Sequence, residues 1–106
     1  MPWVKLDDST DSHRKVRRAG NEAFGVWTRS LCYSAGGLTD GHIDPEWLEE
    51  RTGKRAPKVA ELLLVSGLWE PTDDGWMIHD YLDHNPSRAA VLAKRKADSE
   101  RKPRRS

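Results

Sequence analysis

Between residues 44 and 67 the chain carries a dense set of helix start and stop signals, and these constrain its fold more than any other feature. Asp44-Pro45 sets a capping carboxylate directly ahead of a proline at the first helical position, where the missing N–H leaves no helix hydrogen bond unmade. Ile43 before the cap and Leu48 inside the helix have the spacing of a hydrophobic staple. This helix runs to about Thr52, with Trp47 and Leu48 facing inward. Gly53 occupies a tight connection, Pro57 marks the first turn of a second helix, and Gly67 ends it. Val59, Leu62, Leu63 and Ser66 form the inward stripe of that second helix, while Lys58, Glu61 and Val65 face elsewhere. Two short helices joined through a glycine-containing turn match the helix-turn-helix pattern.

The flanking segments complete a larger plan. Leu68-Trp69-Glu70, a polar tip at Pro71–Gly75 and Trp76-Met77-Ile78-His79 predict a β-hairpin, since Asp74-Gly75 between apolar segments is a strong turn signal. In a helix-turn-helix protein such a hairpin is the wing. Upstream, Trp3-Val4-Lys5-Leu6 reads as a short strand and Asp7–Thr10 as a turn. Asp11 or Ser12 caps a short helix through Ala19, which Gly20 ends. Asn21 then caps a longer helix whose core-facing stripe is Phe24, Trp27, Leu31 and Ala35, closed by Gly36-Gly37. Asp40-Gly41-His42-Ile43 reads as a turn followed by a very short strand. Asn85-Pro86 caps a final helix through about Ala97, after which Pro103 and the arginines read as a disordered tail. The expected fold is mainly α with a small β-hairpin. It is a winged helix-turn-helix over residues 1–85, with an extra C-terminal helix and a basic, partly disordered tail over 86–106. Trp27, Leu31, Leu48, Leu62 and Leu63 are expected to be mostly buried, and Trp3 and Trp76 partly exposed.

Several function classes are excluded by what the residues lack. No apolar run approaches the roughly 20 residues of a membrane span, and the N-terminus has no charged-then-apolar signal pattern, so the expectation is a cytoplasmic protein with no membrane contact. Cys32 is the only cysteine, which rules out an internal disulfide and a multi-cysteine zinc site; in its apolar helix it reads as a small core residue. His79-Asp80-Tyr81-Leu82-Asp83-His84 offers two His and two Asp, but only His13 and His42 remain as further imidazoles. It reads instead as a strand end whose Tyr81 and Leu82 pack back on the core, with no metal. No spacing forms a catalytic triad and no glycine-rich phosphate loop follows a strand, so neither enzyme activity nor a cofactor is expected.

Charge then points to a partner. From Pro86 to Ser106 eight Lys/Arg stand against two acids, a balance of +6, whereas residues 1–85 hold ten Lys/Arg and fifteen acids, a balance of −5. Such a split favours an anionic partner, duplex DNA first. Arg51, Lys54, Arg55 and Lys58 surround the turn and the start of the second helix, from which a helix-turn-helix addresses the major groove. Arginine reads guanine with two hydrogen bonds, and lysine pairs with phosphate. The apolar body of that helix, Ala60 and Leu62–Val65, limits base contact to its first turn. Arg14, Lys15, Arg17 and Arg18 are a candidate second phosphate surface, the alternative being a solvated helix face. Arg88, Lys94, Arg95 and Lys96 extend the contact into the final helix. Asp73 and Asp74 at the wing tip repel phosphate and argue against minor-groove insertion. The five Trp occupy strand and helix positions that favour core duty over base stacking.

The stretches MPWVKLDD, LTDGHI, LLLVSGLWE and IHDYLDHNPSR resemble the N-terminal winged-helix domains of phage-encoded replication-initiation or replisome-organiser proteins of actinobacterial phages, over roughly residues 1–90. The resemblance implies a winged helix that associates with DNA, in replication or transcriptional regulation within the host cytoplasm. The alternative is a protein–protein adaptor on the same scaffold, docking to replication machinery or a host factor, to which the acidic body, acidic wing and apolar second helix point. The exposed N-terminal strand and hairpin edge favour a homodimer.

Overall fold

Helix α1 (Arg14–Gly37) is the longest element of the computed structural model, which describes residues 4–101. After it come β1 (His42–Ile43), α2 (Pro45–Thr52), a 3-10 turn at Gly53–Arg55, α3 (Ala56–Ser66), β2 (Trp69–Thr72), β3 (Gly75–Ile78), α4 (Tyr81–His84) and α5 (Arg88–Arg101). The architecture is mainly helical with one small antiparallel sheet of order β1-β3-β2.

His13 caps α1 in place of Asp11 or Ser12: its Nδ1 accepts from the Lys15 N–H at 3.1 Å. Asp11 and Ser12 lie in a 3-10 turn, Thr10–Ser12, which follows the expected turn where the Asp7 carboxylate accepts from the Ser9 N–H at 2.8 Å. Gly20 is the one non-helical residue within α1 (φ 87°, ψ 170°), a conformation open to glycine. It divides α1 into two helical segments, as its position in the sequence predicts, but Asn21 is already helical, so it is no cap. The core face of α1 is Ala19, Ala23, Val26, Ser30, Leu31 and Ser34. Of the expected stripe only Leu31 is fully buried; Phe24, Trp27 and Ala35 are half-buried. Size decides this. α1 packs most extensively on α3, and small side chains let the two helices approach closely. The same rotation leaves Cys32 exposed, contrary to the core position expected of it.

Helices α2 and α3 follow their punctuation. The Asp44 carboxylate accepts from the Trp47 N–H at 3.1 Å with Pro45 in the first turn, and Ile43 and Leu48 are buried as a staple requires. Gly53 makes the connection at φ 55°, and Gly67 closes α3 at φ 86° with its N–H on the carbonyls of Leu63 and Leu64. Val59, Leu63 and Ser66 are buried as the periodicity predicts, but Ala60 takes the fourth inward place and Leu62 is half-buried.

The sheet differs from the expected hairpin in its tip. β2 continues through Pro71 and Thr72, and Thr72 pairs with Gly75, so the loop is Asp73-Asp74 alone, without a positive φ at either residue. Gly75 begins β3, and a Cβ there would lie 2.3 Å from the Ile43 carbonyl oxygen. The glycine is required by the close approach of β1 and not by the turn. Trp69, Trp76 and Ile78 share the core face, the two indoles stacked at 5.2 Å, and Trp76 is half-buried as expected. Val4, Lys5 and Leu6 form no strand: β1 has only two residues, and β2's outer edge carries Pro71, which lacks an N–H. Trp3 lies outside the described residues.

Beyond the sheet, Tyr81 is buried, but Leu82, expected to pack inward, is 55% exposed on the single turn of α4. Asn85 closes that turn by donating from Nδ2 to the Tyr81 carbonyl at 3.1 Å, so the cap of α5 falls to Ser87, whose Oγ accepts from the Ala90 N–H at 3.1 Å. The Arg88 N–H donates to Asp40 Oδ1 at 2.5 Å and ties the first turn of α5 to the body. From there α5 continues past the expected Ala97 to Arg101 with nearly every side chain exposed. Residues 102–106, including Pro103 and the last basic residues of the tail, lie outside the described residues.

Leu63→Ala should lower stability by about 2–5 kcal/mol, the range for a fully buried leucine, and Leu62→Ala by distinctly less. Chemical denaturation of both variants measures the difference, and equal losses would place the α3 face wrongly. Asp44 yields a second expectation. Burial raises its pKa, but hydrogen bonds from Tyr33 Oη at 2.8 Å and the Trp47 N–H outweigh this and hold the carboxylate below its ordinary 3.8. A depressed folded-state pKa contributes stability above the unfolded value that is lost as pH falls through the folded one. Asp44→Ala should therefore cost about 1 kcal/mol at neutral pH, and its denaturation midpoint should fall less steeply than wild type below pH 3.8.

Candidate nucleic-acid interface

The sequence nominates three groups of cations, and the fold treats them differently. Around the turn between α2 and α3, most already have acidic partners. Arg51 lies over the Trp47 ring, its Cζ 4.6 Å from the centroid, while Nη1 donates to the Trp47 carbonyl at 3.3 Å and to Glu50 Oε1 at 3.2 Å. Arg55 grips Glu22 of α1 with two bonds, Nη2 to Oε1 at 2.6 Å and Nε to Oε2 at 3.1 Å. The hydrogen bonds raise the pKa of Arg55 and lower that of Glu22, the mutual pattern of an ion pair. Lys58 sits 3.6 Å from Glu61 one turn on. Lys54, on the 3-10 turn, is exposed and has no ion pair among the described residues. Charge on the face that would meet a groove is thus largely compensated.

The second group lies on the first turns of α1. Arg14, Arg17 and Arg18 are exposed and make no ion pair among the described residues. Lys15 stands apart: its stem is half-buried beside Gly67, where a Cβ would meet its Cε at 3.4 Å. That places the ammonium near the carboxyl end of α3, where helix carbonyls favour a cation. The third group is on α5. Lys94 reaches Asp98 at 3.4 Å, whereas the exposed side chains of Arg88, Arg95 and Lys96 have no carboxylate within reach among the described residues.

The hairpin tip is acidic and held in place. His42 Nε2 on β1 donates to Asp74 Oδ1 at 2.9 Å, and Thr72 Oγ1 donates to the same oxygen at 3.3 Å. The histidine bond holds the Asp74 carboxyl below its usual range. His79, one of the four candidate metal ligands, has both ring nitrogens engaged, Nδ1 with Glu70 at 2.5 Å and Nε2 with Asp80 at 3.0 Å. Among the described residues no three His, Cys, Asp or Glu side chains gather as metal ligands would; the side chains of Asp83 and His84 lie outside them. No helix is long and apolar enough to cross a membrane among the described residues.

Two concavities carry no sequence signal, because each is assembled from elements distant along the chain. One, of about 260 Å³, lies between the N-terminal segment, α1 and the end of the hairpin, with Trp27, Leu31, Leu68 and Ile78 among its lining. The other is a groove between α2 and the start of α3, walled by Leu48, Ala56, Ala60 and Trp76 with Glu46 and Glu49 beside it. The Glu22–Arg55 pair, 33 residues apart, is invisible to sequence reasoning for the same reason.

No protein-family model matches the chain, and no curated protein or solved structure matches it either.

Proposed function

We propose that this chain is a winged-helix protein that binds duplex DNA chiefly through phosphate contacts from the first turns of α1 and from α5. The element order α1-β1-α2-α3-β2-β3 with sheet order β1-β3-β2 is compatible with a winged helix, which supports the scaffold reading. One observation carries the functional reading. α5 presents Arg88, Arg95 and Lys96 to solvent with no ion pair among the described residues, and among these it makes no extended packing with any other element. A basic helix held out from an acidic body is suited to a polyanion, from which it displaces condensed counterions. Base reading by α3 is a minor part of this mechanism, because its first-turn cations are compensated and Val65 on its outer side is 61% exposed hydrocarbon. The resemblance to phage replication-initiation domains makes replication or transcriptional regulation in the host cytoplasm the process served, with no chemical step assigned to the protein. The exposed Val65 and the compensated charge of the helix-turn-helix also favour a second reading, docking of that face to a protein.

Binding to random duplex, measured against salt, tests the proposal. Arg95→Ala/Lys96→Ala should reduce the slope of log affinity against log salt by about 2, near 0.9 for each phosphate no longer neutralised. The triple variant Arg14→Ala/Arg17→Ala/Arg18→Ala should weaken binding to all sequences alike, and Arg55→Ala should change little because Glu22 already holds that guanidinium. Glu22→Gln should tighten binding, since it releases Arg55. Salt-independent affinity, or none at low salt, would favour the protein-docking reading.

A further inference from the structure

The chamber between the N-terminal segment, α1 and the end of the hairpin has hydrogen-bond donors to spare and few free acceptors. Its floor is apolar, with Leu31 and Ile78 buried and the half-buried Trp27 beside them. The Trp27 indole Nε1–H is itself buried and has no hydrogen-bond partner among the described residues. A buried donor left without an acceptor is costly, so an acceptor group brought beside it is favoured.

The polar lining shows the same imbalance. His13 Nδ1 accepts from the Lys15 N–H, which leaves the proton of the neutral ring on Nε2, and that nitrogen has no acceptor among the described residues. Lys5 and Lys15 make no ion pair among the described residues, and the Lys15 stem is held beside Gly67. The two carboxylates of the lining are already engaged. Asp7 Oδ1 accepts from the Ser9 N–H at 2.8 Å and from Ser9 Oγ at 2.6 Å, and Asp80 Oδ2 lies 3.0 Å from His79 Nε2. The chamber also meets the N-terminus of α1, whose dipole favours an anion. Size narrows the ligand further. An apolar cavity of about 150 Å³ takes benzene, so one of about 260 Å³ has room for a ring with a short acid-bearing chain.

We infer that this chamber binds a small arylalkyl monocarboxylate, its ring against Trp27, Leu31 and Ile78 and its carboxylate at the Lys15 ammonium and His13 Nε2. The inference stands apart from the DNA reading, because ligand binding is measured with no nucleic acid present.

Titration of phenylpropionate into the full chain, followed by nitrogen–proton NMR, tests it, with phenylpropanol and phenylpropylamine as neutral and cationic controls of matching shape. The Trp27 indole N–H resonance, assigned with Trp27→Phe, should shift and saturate with a Kd of about 1 mM or tighter, within reach of a ligand this small. Both controls should bind at least about tenfold more weakly, because neither offers a carboxylate to the ammonium. Lys15→Met keeps an apolar stem beside Gly67 and removes the charge. It should weaken the acid about tenfold and leave the alcohol unchanged, a distinction that a merely structural role does not produce. His13→Asn keeps a capping acceptor for α1 but removes the Nε2–H, and should weaken the acid severalfold. The dispersion of each variant's spectrum verifies its fold. No saturable shift at Trp27, a control that binds as tightly as the acid, or an acid affinity unchanged by either substitution overturns the inference.

Discussion

The close approach of α1 to the rest of the molecule is the constraint on which the structure depends. Ala19, Ala23, Ser30 and Ser34 give α1 a face almost without bulk, and all four are buried. The two hydroxyls then act as fixed acceptors within the core. Ser30 Oγ accepts from the Trp69 indole N–H at 3.4 Å, and Ser34 Oγ from the Gly41 N–H at 2.6 Å. One bond locates the hairpin and the other locates the entry to β1. Buried polar groups are costly unless paired, so these contacts specify one arrangement and penalise others. Larger residues at the same positions would push α3 outward and separate the hairpin from its acceptor.

That close packing also determines the electrostatics. Bringing α1 against α3 places Glu22 within reach of Arg55, and the pair compensates one of the most prominent cations at the turn between α2 and α3. Compensation by Glu50 and Glu61 continues the pattern along the same surface. Of the candidate cations, Lys54, those on α1's first turns and Arg88, Arg95 and Lys96 of α5 have no carboxylate partner among the described residues. A protein whose nominal charge is +1 thus carries its uncompensated cations at particular elements, and long-range attraction follows that distribution more than the net value.

Local signals were legible wherever backbone chemistry alone settles the outcome. Asp44-Pro45 starts a helix because a carboxylate can accept an end N–H and proline needs none; Gly67 stops one because it tolerates left-handed backbone. The strand at His42–Ile43 and the hairpin were legible by the same kind of argument. Legibility ended where the outcome depended on a neighbour far along the chain. Periodicity on α1 nominated Phe24, Trp27, Leu31 and Ala35; Leu31 is buried, but most of the face that meets the rest of the molecule is made of the small residues Ala19, Ala23, Ser30 and Ser34. Gly75 was legible as a turn glycine, though its place is dictated by the Ile43 carbonyl oxygen.

The sequence by itself determined the order of β1, α2, α3, β2 and β3, the start of α2 and the end of α3, and the division of charge between body and C-terminal segment. Each of these follows from residues within a few positions of one another or from counting. Only the tertiary structure decided which side of α1 is buried, which cations keep their charge uncompensated, and where a groove forms between α2 and α3. Those properties belong to pairs of surfaces. Close packing between elements tens of residues apart sets them, and no local pattern encodes the shape of a partner it has yet to meet.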